Sequence, residues 1–286
     1  MPHFARIIAD SISPVGVRLT TFEVTIPRIV LAEFNTHRVF SRNSASSRAI
    51  PVSKMLERVM DDPFIPIHWG KNQRGMQADE EVDQSTAINS ERTWLKARDA
   101  AVAQVNALLE LGIHKQIANR LLEPFMWHTI LVTATEWSNF FHLRAHPDAQ
   151  PEIRRGAELM KEAMDASTPR EIGYGEWHLP LIYDEDREIE SDQEKLRKIS
   201  VGRCARVSYL THDGKRNHEK DLELHDRLFN GGHMSPMEHV ATPMKKGGEG
   251  LGWTEPENTF EGNFRGWVQY RKTIPNEWDL LGKPNV

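Results

Sequence analysis

The stretch that most constrains the fold is residues 125–144, FMWHTILVTATEWSNFFHLR, the most apolar long segment of the 286-residue chain. Its apolar side chains lie on every side of a helical wheel instead of forming one stripe, so the spacing predicts a buried central helix. Asn139 and Arg144 sit among its aromatic residues. A buried Arg144 would need an anion or a strong acceptor, because stranding a guanidinium costs several kcal/mol.

A chain of this length can cover such a segment, as one large or two modest domains. Residues 4–26 read as strands: Val15, Val17 and Leu19 alternate with Gly16 and Arg18 after turn chemistry at Ser13-Pro14. Phe22, Val24 and Ile26 alternate on the other parity, which predicts a bulge or two short strands near Thr20-Thr21. Residues 29–38 and 52–60 have helical spacing, and residues 61–90 look irregular. That loop carries HWGKNQRGMQ (residues 68–77), and loops of such length are uncommon without a function. A helix is expected from Ser90 until Gly112, then a second over residues 113–122. Asp148 is placed to cap a helix with Ile153, Ala157, Met160 and Met164 on its inner face. Residues 169–180 and the acidic run 184–194 read as a linker before a second part that begins near Ile199. There, residues 219–230 form an amphipathic helix closed by Gly231-Gly232, and a Gly-rich loop covers residues 246–252.

Net charge −5 argues against a general nucleic-acid binder. The single cysteine, Cys204, excludes an internal disulfide and a Cys-based zinc cluster, and suits a reducing compartment. Thirteen histidines show no metal-ligand spacing such as His-Glu-x-x-His, so no metal is expected. The N-terminus lacks a signal-peptide core and no run is long enough to span a bilayer, so the expectation is a soluble, cytoplasmic protein without a membrane partner.

Residues 36–48, THRVFSRNSASSR, gather His37, Arg38, Arg42 and Arg48 with the hydroxyls of Ser41, Ser44, Ser46 and Ser47. Forked guanidinium donors and short hydroxyls are the groups that bind phosphate. The pattern His37-Arg38, seven residues, then Ser46-x-Arg48 resembles the signature of the flavin-dependent thymidylate synthases (ThyX): Arg-His-Arg, seven residues, Ser, and an Arg two further on. Three more stretches carry the resemblance: NRLLEP around Arg120, NFFHLRAHPDAQPEIR with Asn139 and Arg144, and CARVSY followed by GHMSPMEH, which ends at His239.

The resemblance implies a mixed α/β (α+β) fold, a central antiparallel sheet with helical layers, and a homotetramer with shared active sites. It implies that Ser46, Arg48 and Arg120 hold the phosphate of a nucleotide, dUMP, and that Arg144 faces the uracil ring as the catalytic group. His37, Arg38, Asn139 and His239 would line FAD, with NADPH and methylenetetrahydrofolate as co-substrates. In the family the Gly-His-x-Ser-Pro-x-Glu-His segment precedes the Arg-His-Arg motif, whereas here it follows by some two hundred residues. The chain therefore looks circularly permuted, with a core over residues 1–190 and a part over residues 195–286 that takes the family's N-terminal role and completes the flavin site. Thr36 stands where the family has its first Arg, Glu33 where it has Gln, and Ser44 where it has Glu. These departures leave open hydroxymethylation of dUMP or dCMP, and a non-catalytic nucleotide- or flavin-binding protein.

Overall fold

The structure is a computed structural model and describes residues 3–207, 217–245, 261–275 and 277. Strands β1 (Phe4–Ile12) and β2 (Arg18–Pro27) form a hairpin, and β4 (Trp127–Ala134) pairs along the other edge of β2. The short β3 (Ser41–Ser44) extends the sheet beyond β4, and β5 (Arg170–Glu171) adds a parallel pairing to β1. The order is β3-β4-β2-β1-β5, antiparallel except for that last pair.

The apolar segment 125–144 is thus not one helix. It is β4, a turn, and helix α5 (Ser138–Arg144). A continuous apolar run is the pattern of a helix buried all round and equally of a strand buried on both faces. Thr129, Ile130, Val132 and Thr133, stiff at χ1, favour the strand. Ile130, Val132 and Ala134 face one layer, and Leu131 and Thr133 face the other. The same two-sided burial explains the change of parity in β2, which is unbroken. Phe22, Val24 and Ile26 join the first layer while Leu19 packs in the second. The register irregularity lies across from it, in β1 between Ile7 and Ala9.

The first layer contains α1 (Leu31–Asn35), α5 and α6 (Pro151–Asp165). Helix α6 lies so close to the sheet that a Cβ on Gly156 would stand 2.6 Å from Ile26 Cγ2. Asp148 does not cap this helix: Gln150 occupies the N-cap and Pro151 opens the first turn, where its missing N–H costs nothing. At the end of the sheet, α2 (Val52–Asp61), α3 (Gln84–Glu110) and α4 (Lys115–Ala118) build a satellite core around Met55, Val105 and Leu122. Helix α3 starts six residues before Ser90, because Asp83 caps it by accepting from the Thr86 N–H.

The second layer is built by the described residues from 172 onward. It comprises α7 (Asp184–Ile189), α8 (Gln193–Arg206), α9 (His218–Asn230), a 3-10 turn over Ser235–His239, and the small hairpin β6 (Ala241–Pro243) with β7 (Trp267–Gln269). The expected linker over residues 169–194 is folded into this layer. Leu181 packs with Leu131, Cys204 and Val207, and Asp186 of α7 accepts two hydrogen bonds from the Arg203 guanidinium. Arg203 also reaches Asp221, which accepts from Arg206 as well, and His218 approaches Asp186. Burial alone would raise the Asp186 pKa, but the bonds from Arg203 and His218 hold it well below the usual carboxylate range. The Gly-rich loop 246–252 and the end of CARVSY, Ser208 and Tyr209, fall outside the described residues. Among the described residues no helix is long and apolar enough to cross a membrane.

A polar chain runs through the interface between sheet and second layer. Ser11 Oγ meets His178 Nδ1, His178 Nε2 meets Thr21 Oγ1, Thr21 meets Thr133 Oγ1, and Thr133 meets His239 Nδ1, each at 2.7–2.9 Å. His239 Nε2 is buried without a partner. Burial holds both histidines neutral, with pKa values near 3.

Two outcomes follow. Asp186→Ala should cost about 3–5 kcal/mol in denaturant unfolding, because it leaves the buried Arg203 charge underpaired. The two histidines bind protons in the unfolded chain below pH 6.5 but in the folded chain only near pH 3. Each should therefore remove about 1.4 kcal/mol of stability per unit as pH falls through that window. Urea unfolding at pH 7, 6 and 5 measures the slope, and His239→Asn should flatten it.

Candidate functional site

The motif at residues 36–48 is a turn, a strand and a turn, and β3 divides its candidate residues into two groups. At one end the chain leaves α1, so the helix expected over residues 29–38 stops at Asn35. His37 is buried there, stacked with Phe40 and edge-on to Phe140. Its Nε2 accepts from Arg144 Nε at 3.0 Å, and Thr36 Oγ1 accepts from Arg144 Nη2 at 3.4 Å. Burial lowers the His37 pKa to about 4, with the Arg144 and Arg42 charges acting in the same direction. A neutral imidazole is what allows Nε2 to accept. Arg144, half-buried at the last position of α5, has no carboxylate within ion-pair reach among the described residues. One turn back, Glu33 Oε2 is buried and has no hydrogen-bond partner. Arg38 and Asn139 are exposed.

At the other end of β3, residues 46–49 form a tight turn closed by Ala49 N–H donating to Ser46 O. Ser46 is half-buried and Arg48 exposed. The turn is clamped from below: Asn119 Nδ2 donates to the carbonyls of Ser47 and Ile50, and Ser47 Oγ donates to Glu123. Glu123 also accepts from Arg120 Nη1 at 2.6 Å, so Arg120 is brought beside the Ser46 turn. Beneath the turn lies a cavity of about 430 Å³ lined by Arg28, Ser47, Ile50, Met55 and His128. Strand β3 rises about 3.3 Å per residue, so its three steps from Ser41 to Ser44 put about 10 Å of strand between the two groups.

His239 stands elsewhere. The His37 cluster packs with Ile130, Val132 and Ala134, whereas His239 bonds Thr133 on the opposite face. Within one chain the sheet lies between His239 and His37, Arg38 and Asn139. The segment carrying His239 nevertheless folds back on the motif: Gln269 Nε2 donates to Ser41 Oγ and to the Glu238 carbonyl.

Sequence reasoning missed the clamp and the anchor. Glu123 sits three residues after Arg120, a spacing at which helical side chains meet, and that signal was available. Thr36 and Asn119 gave none, since their partners come from distant segments.

The family model described as thymidylate synthase complementing protein matches residues 10–170. The chain belongs to that family. The matched region holds every candidate residue except His239. A flavin-dependent thymidylate synthase of Thermosipho africanus is 29% identical over 147 residues, which are 48% of this chain and 59% of the relative. The enzyme of that name from Aquifex aeolicus is 31% identical over 144 residues, 50% of this chain and 44% of its own length. The chain thus spans about half the length of the curated relatives it matches. Among solved structures, the UMP/dUMP methylase PolB from Streptomyces cacaoi bound with 5-Br dUMP aligns over 57% of this chain and 90% of its own, at 18% identity and a TM-score of 0.48.

The geometry around His37 generates a direct test. In Arg144→Ala the neighbouring cation is gone, so the His37 pKa should rise from about 4 toward 6.5. Histidine NMR titration reads this, and an unmoved value would show that Arg144 does not sit against the ring.

Proposed function

We propose that this chain is a flavin-dependent thymidylate synthase, methylating dUMP at C5 with methylenetetrahydrofolate as carbon donor, reduced FAD as hydride donor and NADPH as the flavin's reductant. Arg144 carries the reading: a guanidinium held by a neutral imidazole and a hydroxyl, with no carboxylate in ion-pair reach among the described residues. Such an end fits a pyrimidine, whose carbonyls would meet Arg144.

When bound, FAD supplies the hydride, and the protein's part is binding, orientation and electrostatics. Arg144 offsets negative charge developing on the pyrimidine at N3 and its flanking carbonyls. Ser46, Arg48 and Arg120 hold the phosphate and fix the ring. His37, Arg38 and Asn139 are the groups that meet the flavin. His239, on the other face of the sheet within one chain, would meet the flavin from a neighbouring copy. Because the phosphate and base groups lie at opposite ends of β3, we assign them to different copies of the chain in a homotetramer. The part over residues 195–286 takes the role of the family's N-terminal segment, a reading supported by its packing on β3.

Glu33 also favours a second reading. A carboxylate where the family has Gln can only accept, which suits an N–H of the amino group of cytosine. Hydroxymethylation of dCMP or dUMP by the same fold is the alternative, and a flavin-binding protein without turnover is the third possibility. Mass analysis of the nucleotide after incubation with dUMP or dCMP, methylenetetrahydrofolate and NADPH decides among them. dTMP is expected; a hydroxymethylated product, or a yellow protein without product, overturns the synthase.

Arg144→Ala should abolish turnover while leaving the melting temperature near that of the parent, and near-normal activity would sink the assignment. Arg48→Ala should weaken nucleoside monophosphate binding by about 1.5–3 kcal/mol and leave nucleoside binding unchanged. Calorimetric titration with dUMP and deoxyuridine makes the comparison.

A further inference from the structure

The arm over residues 68–82, which holds HWGKNQRGMQ, plays no part in the reading above. Its two sides join at the isolated antiparallel bridge of Gly70 and Glu81, where Lys71 N–H donates to Glu80 O and Val82 N–H donates to Trp69 O. Every residue from 70 to 81 is exposed, so apolar burial does little to hold the sides together. The Lys71–Glu80 ion pair is exposed too and adds little. An arm built this way opens at low cost.

The remaining tie is His68. Its Nδ1 lies 2.7 Å from Glu81 Oε1 and its Nε2 lies 2.8 Å from Ala78 O, so one ring on the outgoing side grips the returning side at two points. Both partners are acceptors and a neutral imidazole has one N–H, so only the imidazolium makes both bonds. The bond to Ala78 O raises the His68 pKa above its ordinary 6.5; burial opposes this, and Glu81 from the arm and Glu152 from α6 add to the rise. The cations nearby are committed elsewhere, Lys71 to Glu80 and Arg154 of α6 to Glu158. His3 meets the Glu152 carbonyl, and burial lowers its pKa.

The arm stands against the turn that leads into α6, with a cavity of about 650 Å³ between them. Trp69, Met76 and Ala78 form its wall on the arm, and Pro147, Gln150 and Glu152 form the wall opposite; Asp79 and Asp148 line it as well.

We propose that the arm is a lid over this cavity and that His68 is its latch, closed while the ring carries both protons and released when one is lost. The closed arm holds the second proton more tightly than the open one. Closure is therefore fully supported below pH 6.5 and lost as pH rises through the raised pKa of the closed form. The two effects are linked, so closure weakens tenfold for each unit by which the latch raises the His68 pKa. The latch is independent of the synthase reading, since neither flavin nor nucleotide enters it.

Histidine NMR titration of the full chain, with hydrogen exchange at the Lys71 and Val82 amides read as protection factors at about pH 6 and 8.5, tests the proposal. His68 should titrate above 6.5, and protection should fall between the two conditions by the factor its titration implies. His68→Leu makes neither bond and should leave both amides weakly protected in acid, with no further loss in alkali. Glu81→Gln keeps an acceptor for Nδ1 without the charge, so it should lower the His68 titration and shrink the change in protection by the same factor. Melting temperatures and exchange of the β4 amides show that the variants are folded. A His68 pKa at or below 6.5, equal protection of the parent in both conditions, or a pH-dependent loss that persists in His68→Leu would overturn the proposal.

Discussion

Everything in this protein depends on burying β4 on both faces. An eight-residue strand with Ile130, Leu131, Val132, Thr133 and Ala134 all out of water needs a layer on each side. One layer comes from the adjacent chain, since α5 and α6 follow β4 directly and fold back over Ile130 and Val132. The other has to be recruited from residues beyond 172, and it closes on Leu131 and Thr133. The far C-terminal third is therefore a structural necessity for the sheet, whatever else it does.

The two layers differ in chemistry. The first is apolar and aromatic, and its open end, where Phe40, Trp137 and Phe140 meet His37, keeps that imidazole neutral and able to accept from Arg144. The second is polar at the sheet surface: a line of hydroxyls and two neutral histidines meets the underside of β2 and β4, and its outer part is held by ion pairs around Arg203. Charged and polar contacts of this kind fix one arrangement by the cost of breaking them more than by net gain. That rigidity is what a short strand such as β3 needs, since its four residues carry functional groups at both ends and have no outer neighbour in the sheet.

The candidate site is accordingly a set of positions fixed by segments remote in sequence. Thr36 holds Arg144 across more than a hundred residues, and Asn119 and Glu123 hold the turn at Ser46 across some seventy. Family membership rests on residues 10–170, where the fold places the motif, Arg120, Asn139 and Arg144.

The sequence by itself determined that residues 4–26 are strands, helix α2, the amphipathic helix α9 with its double-glycine end, and the cationic and hydroxyl character of residues 36–48. Each is a local pattern whose period or composition has one physical reading. What only the tertiary structure decided is the state of residues 125–144, the folding of residues 169–194 and the partners of the site. An all-apolar run carries no period, so helix and strand differ only in what lies beside them, and here β2 and β3 offered their edges. The acidic run looked like solvated chain because carboxylates dominate it, and the guanidinium that pairs with Asp186 is not the adjacent Arg187 but Arg203, which arrives with α8. Hydrogen bonds between distant segments leave no spacing to read, and the anchoring of Arg144 and of the turn at Ser46 is made of such bonds.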